Sequence, residues 1–345
     1  MFSMVQLFGR RSRSWIRLAQ AALAVVVLGC AACTSTDSPD SAGVSSNSAG
    51  DGQPGGLAAD GIPQIGSEVD LMAGWAFPLD AYALTRTQRD LIYEALNVLE
   101  TKCMAEQGFV VPPWLPRLKL STRNRLLEEF GVGILSEARQ YGYEVPPEYT
   151  GADHPVDTTK PPPEVSQAYQ EAMTGPPQDM PEAPMIQVGD WSFGTSPYAP
   201  DSCMGRSYEA LGVSFERSQE LGIGQEGSVE VTKLVYESRD RTEADPRVSQ
   251  VTADWAACMA GRGFDTPSPG EAVNTYGPQG NSPAAVAAAT AEIGCKYETN
   301  YFGVLYGVTA EYQRQLIDQG LAGLETLAAS NREILDKANA AIAAG

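Results

Sequence analysis

Six cysteines, a single histidine and a large surplus of carboxylates are the side chains in this sequence with the most chemical scope. Cys103, Cys203, Cys258 and Cys295 stand far apart, with no CxxC spacing among them, and His154 lies in a proline-rich stretch, so a metal site is not expected. An even number of cysteines suits disulfides when a chain is exported to oxidising surroundings. Four cysteines allow three connectivities. The favoured one joins Cys103 to Cys203 and Cys258 to Cys295, because each bond then ties one repeated helix to the next cysteine-bearing helix in its own half. On the chain-entropy account, closing loops of that size stabilises by roughly 4 to 5 kcal/mol each.

The other constellations for catalysis are weak. One histidine excludes an HExxH zinc helix and a three-histidine metal site, and leaves no good Ser-His-Asp arrangement. There is no GxSxG, and no lysine follows a serine by three positions, so acyl transfer has no signature. Gly222–Gly227 matches GxGxxG, yet Phe215 to Leu221 before it reads as a polar helix rather than an apolar strand, which makes it an inter-helix turn. Glu128-Glu129 and the group Asp240, Glu243 and Asp245 could supply paired carboxylates for glycoside hydrolysis, but in so acidic a chain they are better read as solvated helix faces. Trp75, Trp114, Trp191, Phe193 and Tyr198 sit in turn-rich segments, where they either cover a helical core or line a groove for a glycan or peptide. No residue is assigned as catalytic, cofactor-binding or metal-ligating.

Charge and the N-terminus bound the setting. The 24 basic residues face 43 acidic ones, a net charge of −19, which is the wrong sign for binding nucleic acid. Arg10, Arg11, Arg13 and Arg17 precede an apolar stretch from Leu18 to Leu28, the form of a secretory signal too short to span a bilayer. Gly29 is followed at once by Cys30, as in the bacterial lipobox, where the thiol receives a diacylglyceryl group; Cys33 is the alternative acceptor. Two acyl chains satisfy the requirement for durable anchoring, whereas one binds marginally. Cleavage before Cys30 would remove four arginines and leave 20 basic against 43 acidic residues, so an anchor rather than charge would hold the protein to its membrane.

The elements that must carry these residues read as helices. Residues 1–29 are taken as the signal and 30–66 as a disordered Ser/Gly/Asp-rich tether, its 33 residues from 34 onward reaching about 30 Å. Residues 67–345 form the folded domain. Thr85 and Gln88 make a capping box ahead of a stripe of Leu91, Ile92, Leu96, Leu99 and Cys103. Asp245-Pro246 starts a second helix carrying Val248, Val251, Trp255 and Cys258. Aligned, CMAEQGFVVP from Cys103 recurs as CMAGRGFDTP from Cys258, a CM-x3-GF device within repeats around 85–114 and 245–270. Its sense is a buried cysteine in the last turn, a left-handed glycine, and a phenylalanine folding back. Helices are also expected over 124–142, 202–221 and 228–242. Residues 144–200 hold 12 of the 24 prolines and read as an irregular excursion with one short helix. C-terminal helices cover 282–343, with a weak point at Asn300 to Gly303 and then a long amphipathic stripe packed on the body or on a partner.

Taken together, Pro78-Leu79-Asp80-Ala81-Tyr82, the CM-x3-GF device at Cys103 and Cys258, Gly142-Tyr143, Cys203 at a helix start, and the pattern from Cys295 through Gln313, Leu316 and Ile317 resemble a family of uncharacterised lipoproteins exported by actinobacteria. The ratio of 18 arginines to 6 lysines suits high-GC genomes of that kind. The resemblance implies location and a helical architecture and brings no activity. The expected fold is mostly all-α: a disulfide-linked helical body with a long C-terminal amphipathic helix and a Pro-rich irregular insertion. The expected role is a lipid-anchored, extracytoplasmic, non-enzymatic binding or accessory subunit with an envelope protein or wall fragment as partner, no nucleic acid and no cofactor. An envelope hydrolase using carboxylates and a solute-binding module are the alternatives.

Overall fold

Short polar side chains set where most of the helices begin. The computed structural model describes residues 61–111, 125–150, 166–182, 185–188, 191–194, 196–221 and 228–345. Their elements in chain order are α1 (Glu68–Leu71), a 3-10 turn (Pro78–Ala81), α2 (Arg86–Glu106), α3 (Arg125–Phe130), α4 (Leu135–Tyr141), α5 (Pro147–Thr150), α6 (Gln167–Thr174), a hairpin of β1 (Met185–Val188) and β2 (Trp191–Gly194), α7 (Cys203–Ala210), α8 (Phe215–Leu221), α9 (Val229–Glu243), α10 (Pro246–Gly261), α11 (Pro269–Tyr276), α12 (Pro283–Glu298) and α13 (Tyr301–Ala344). Thr85, Ser166, Ser202, Asp245, Ser268 and Ser282 each accept a hydrogen bond from a first-turn backbone N–H, satisfying a donor the helix itself cannot pair. The Thr85–Gln88 capping box is formed in full. The mostly all-α architecture is therefore the one expected.

The body is built around α13. Its 44 residues would span about 65 Å if straight, and Gly320, at φ −124° and ψ 17°, interrupts the helix. Before that break the helix is buried on several sides at once. Tyr301, Leu305 and Val308 meet Val248, Val251, Trp255 and Met259 of α10. Phe302, Tyr306 and Ala310 meet Ile65, Leu71, Trp75, Phe77, Leu126 and Leu127. After it the burial narrows to a stripe, with Leu324 against Leu79, Val231 and Val235, and Ile334 and Ala338 against Ile92, Ala95 and Leu96 of α2. The amphipathic pattern read from the sequence thus describes only the second half of this helix; the first half is central because other chain segments wrap it.

Three further differences from the sequence reading have local causes. The helix expected over 124–142 is two, α3 and α4, because Gly131 turns the chain at φ +81°. The helix expected over 202–221 is likewise two, α7 and α8, with Gly212 at φ +70° between them. Inside the Pro-rich excursion, β1 and β2 pair antiparallel with Ile186 opposite Phe193, and Val188 is buried. Four-residue strands in a proline-rich context give too short an alternation to read in advance.

The tether assigned to 30–66 overreaches at its end. Ile62 and Ile65 are buried, and Asn300 grips this segment by accepting from Ile65 N at 2.8 Å and donating to Pro63 O at 3.0 Å. Asn300 does so from a left-handed backbone, φ 55° and ψ 34°, a conformation asparagine tolerates better than most residues. The composition of 34–66 averages over these two isoleucines, which is why they were submerged in a polar stretch. The same segment lies so close to α13 that a Cβ on Gly303 would meet Pro63 O at 2.0 Å. Gly303→Ala is therefore expected to cost about 1 to 3 kcal/mol by overpacking against backbone, read as a lowered melting temperature by circular dichroism.

Candidate functional site

The two CM-x3-GF sequences fold alike. Gly108 and Gly263 adopt φ +86° and +89°. Phe109 N donates to Met104 O at 2.9 Å, and Phe264 N donates to Met259 O at 3.0 Å, the longer-range bond of a Schellman end. Met104 and Met259 are fully buried. Each phenylalanine then meets a tyrosine edge to face at 5.8 Å between ring centres, Phe109 with Tyr169 of α6 and Phe264 with Tyr276 of α11. Those tyrosines come from eight-residue helices, both capped by serine. A cysteine from the next helix completes each unit. Cys103–Cys203 links α2 to α7, and Cys258–Cys295 links α10 to α12, with Cα separations of 5.6 and 5.7 Å. This is the pairing favoured from the sequence. The aromatic partners were not legible, because Tyr169 and Tyr276 follow their cysteines at different distances.

A buried ion network lies beside the second disulfide. Lys296 and Glu292 of α12 are both buried, with Nζ 2.7 Å from Glu292 Oε1. The ammonium also donates to Phe130 O at 2.8 Å and Val132 O at 3.1 Å, so its three protons have three acceptors. Phe302 and Tyr301 present their rings at 5.2 and 5.8 Å. Tyr143 donates its hydroxyl to Glu292 Oε2 at 2.7 Å. Burial first, and then the Glu292 carboxylate, push the Tyr143 phenol well above its usual range, so it stays a donor. An ammonium held this way has no free lone pair for nucleophilic work. Its chemistry is positional: it fixes the loop between α3 and α4 against α12, where Tyr143 also reaches Glu292. The sequence signal was present, since Glu292 and Lys296 stand four apart in a helix otherwise rich in alanine.

A second polar cluster joins α10 to α13. Asp245 caps α10 through Arg247 N at 2.8 Å, pairs with the Arg247 guanidinium, and accepts from Tyr312 at 3.0 Å, while Arg247 also reaches Glu311 at 2.9 Å. The Arg247 hydrogen bonds hold the Asp245 carboxyl down at about 2, against the opposing effect of burial. Tyr301, buried at the start of α13 with its ring beside Lys296, is pushed up to about 12 by desolvation.

The remaining residues singled out in the sequence fall as follows. Glu129 binds Arg239 through Nε at 3.0 Å and Nη2 at 2.6 Å, and Asp245 is committed as above, so neither stands as a free catalytic carboxylate. Trp75 is buried and donates Nε1 to Asp70 O at 2.7 Å. Tyr198 is buried, bonded to Ser218 at 2.7 Å and stacked on Tyr208 at 5.3 Å. These two cover the core rather than lining a groove. Cys30, Cys33, Trp114, His154 and Gly222–Gly227 lie outside the described residues. Among the described residues no group of three or more His, Cys, Asp and Glu is placed to hold a metal, and no helix is long and apolar enough to cross a membrane. No family profile, curated protein or solved structure matches the chain.

Two outcomes follow from this geometry. Lys296→Met strands Glu292 and is expected to cost about 3 to 5 kcal/mol, whereas the double change Lys296→Met, Glu292→Leu removes the stranded charge and recovers part of it, the Tyr143 hydroxyl and the Phe130 and Val132 carbonyls staying unpaired, measured by denaturant unfolding. The folded Asp245 carboxyl titrates below its unfolded value of 3.8, so its contribution is complete above about pH 4 and is lost as the pH falls through about 2. Asp245→Asn should therefore be less stable than the wild type at neutral pH and approach it near pH 2, in melting curves taken across that window.

Proposed function

We propose that this chain is a lipid-anchored protein of the extracytoplasmic membrane face, serving as a non-enzymatic binding or accessory subunit of a membrane- or wall-associated complex. The observation that carries the reading is Gly29-Cys30 directly behind a basic and then apolar N-terminus, on a chain whose body is stapled by two disulfides. Disulfides of this kind persist outside the reducing cytosol, and an acylated cysteine at the start of the mature chain needs no membrane-spanning helix. Likeness to the actinobacterial lipoproteins agrees with both.

The engagement of Glu129 by Arg239 and of Asp245 by Arg247 supports a binding role over a carboxylate hydrolase. A net charge of −19 argues for an envelope protein or a wall fragment recognised by shape and hydrogen bonding, not for nucleic acid or an anionic lipid surface.

Fractionation of cells expressing the full chain tests the anchor. The wild type is expected in the membrane fraction with a diacylglyceryl mass on Cys30, and Cys30→Ser is expected as unprocessed precursor or soluble protein without that mass. An unmodified Cys30 in the wild type, with Cys33 also bare, overturns the reading. Cross-linking in intact membranes should then recover a defined envelope partner with the wild type.

A further inference from the structure

The two disulfides look alike in their repeated half and differ in the other. Cys103 and Cys258 lie in the closing turns of α2 and α10, and Cys295 lies in the last turn of α12. At such helix ends the outward carbonyls oppose negative charge on sulfur. Cys203 has the opposite setting as the first residue of α7, where Ser202 caps Gly205 N at 3.1 Å and the backbone N–H groups favour negative charge.

The neighbouring side chains sharpen that contrast. Gln107 Nε2 lies 3.0 Å from Cys203 Sγ and 3.7 Å from Cys103 Sγ, and Arg206 Nη2 lies 3.9 Å from Cys203 Sγ. At the second bond a carboxylate oxygen, Glu298 Oε2, lies 3.3 Å from Cys258 Sγ, its other oxygen accepting from Arg262. Cys295 is fully buried and Cys258 is partly exposed, more so than Cys103, so access does not protect the second bond; the Glu298 carboxylate against Cys258 does, by repelling an incoming thiolate.

Thiol–disulfide exchange is faster when the departing sulfur carries negative charge more readily. We propose that Cys103–Cys203 is an exchangeable bond, opened by a dithiol reductant that attacks Cys103 and expels Cys203, while Cys258–Cys295 remains closed as the permanent staple. Cys103 is the sulfur to be attacked, since it retains 9% of its exposure and Cys203 none. The reductant's thiolate bonds to Cys103 Sγ as the Cys103–Cys203 bond breaks, and the electron pair of that bond leaves on Cys203 beneath Arg206 and Gln107. The reductant's second thiol then loses its proton and displaces Cys103 in turn. The reductant ends as a cyclic disulfide, and the protein gains two electrons and, in all, two protons.

Opening this bond removes the covalent link between α7 and the end of α2, where α6 also packs. The α10–α12 link and the Lys296 network are untouched by it. The bond therefore acts as a redox-sensitive strap on α6 and α7.

The test is timed reduction of the full mature chain by dithiothreitol under native conditions, with iodoacetamide quenching and peptide mapping of all four cysteines. Cys103 and Cys203 are expected to be alkylated about tenfold faster than Cys258 and Cys295, with the difference vanishing in strong denaturant. Arg206→Ala and Gln107→Leu should each slow opening of the first bond and leave the second unchanged, in variants whose circular dichroism matches the wild type. Faster alkylation of Cys258 and Cys295, equal rates for both bonds, or variants that leave the first bond's rate unchanged would each overturn the proposal.

Discussion

An ammonium group removed from water must find an acceptor for every proton, and Lys296 imposes that demand at the centre of this fold. Its position one residue after Cys295 places it on the buried side of α12, where Glu292 supplies the countercharge. The other two acceptors are backbone carbonyls of Phe130 and Val132, which are exposed to it only because Gly131 breaks the helix between α3 and α4. Glu292 in turn needs a second donor, and Tyr143 provides it from the chain just after α4. One buried charge thus fixes the path of residues 130–143 against α12, and Ala138 packs onto Ala289 and Ile293 as a consequence.

That constraint also explains how two similar halves become one body. The α10–α11–α12 unit is continuous, with 37 residues between its cysteines, whereas 100 separate those of the α2–α6–α7 unit. The extra chain includes α3, α4 and the hairpin. Leu126 and Leu127 of α3 pack on Phe302 of α13, and α4 packs on α12, so the insertion within the first unit is built into the second. Of the Pro-rich excursion, the described α6 lies against α7 and β1 lies against α9. Both units then share α13, the first along its later stripe and the second along its buried beginning.

The repeated device is economical in sequence and demanding in structure. A left-handed glycine ends the helix, a methionine fills the core beneath it, and the phenylalanine closes against a tyrosine from elsewhere. Because the last turn already holds the cysteine, the disulfide is placed by helix termination itself. Which residue receives that cysteine differs, a helix start at Cys203 and a helix end at Cys295, and this gives two chemically identical bonds different electrostatic surroundings.

Local pattern made much of this legible in advance. The capped starts at Thr85, Asp245 and Ser282, the glycine-ended repeats, the break near Asn300 and the cysteine pairing all follow from interactions within a few residues or from a simple sequence symmetry. The proposed signal and acyl acceptor at Cys30 rest on the sequence alone. Tertiary structure decided the rest. Ile62 and Ile65 look like part of a polar tether until Asn300 and Phe302 offer them a partner, and Glu292 with Lys296 looks like a surface pair until α4 covers it. Trp75 and Tyr198 look free to line a groove until the helices close over them. In each case the deciding contact joins residues tens to hundreds of positions apart, so its free energy has no counterpart in the local pattern from which a sequence is read.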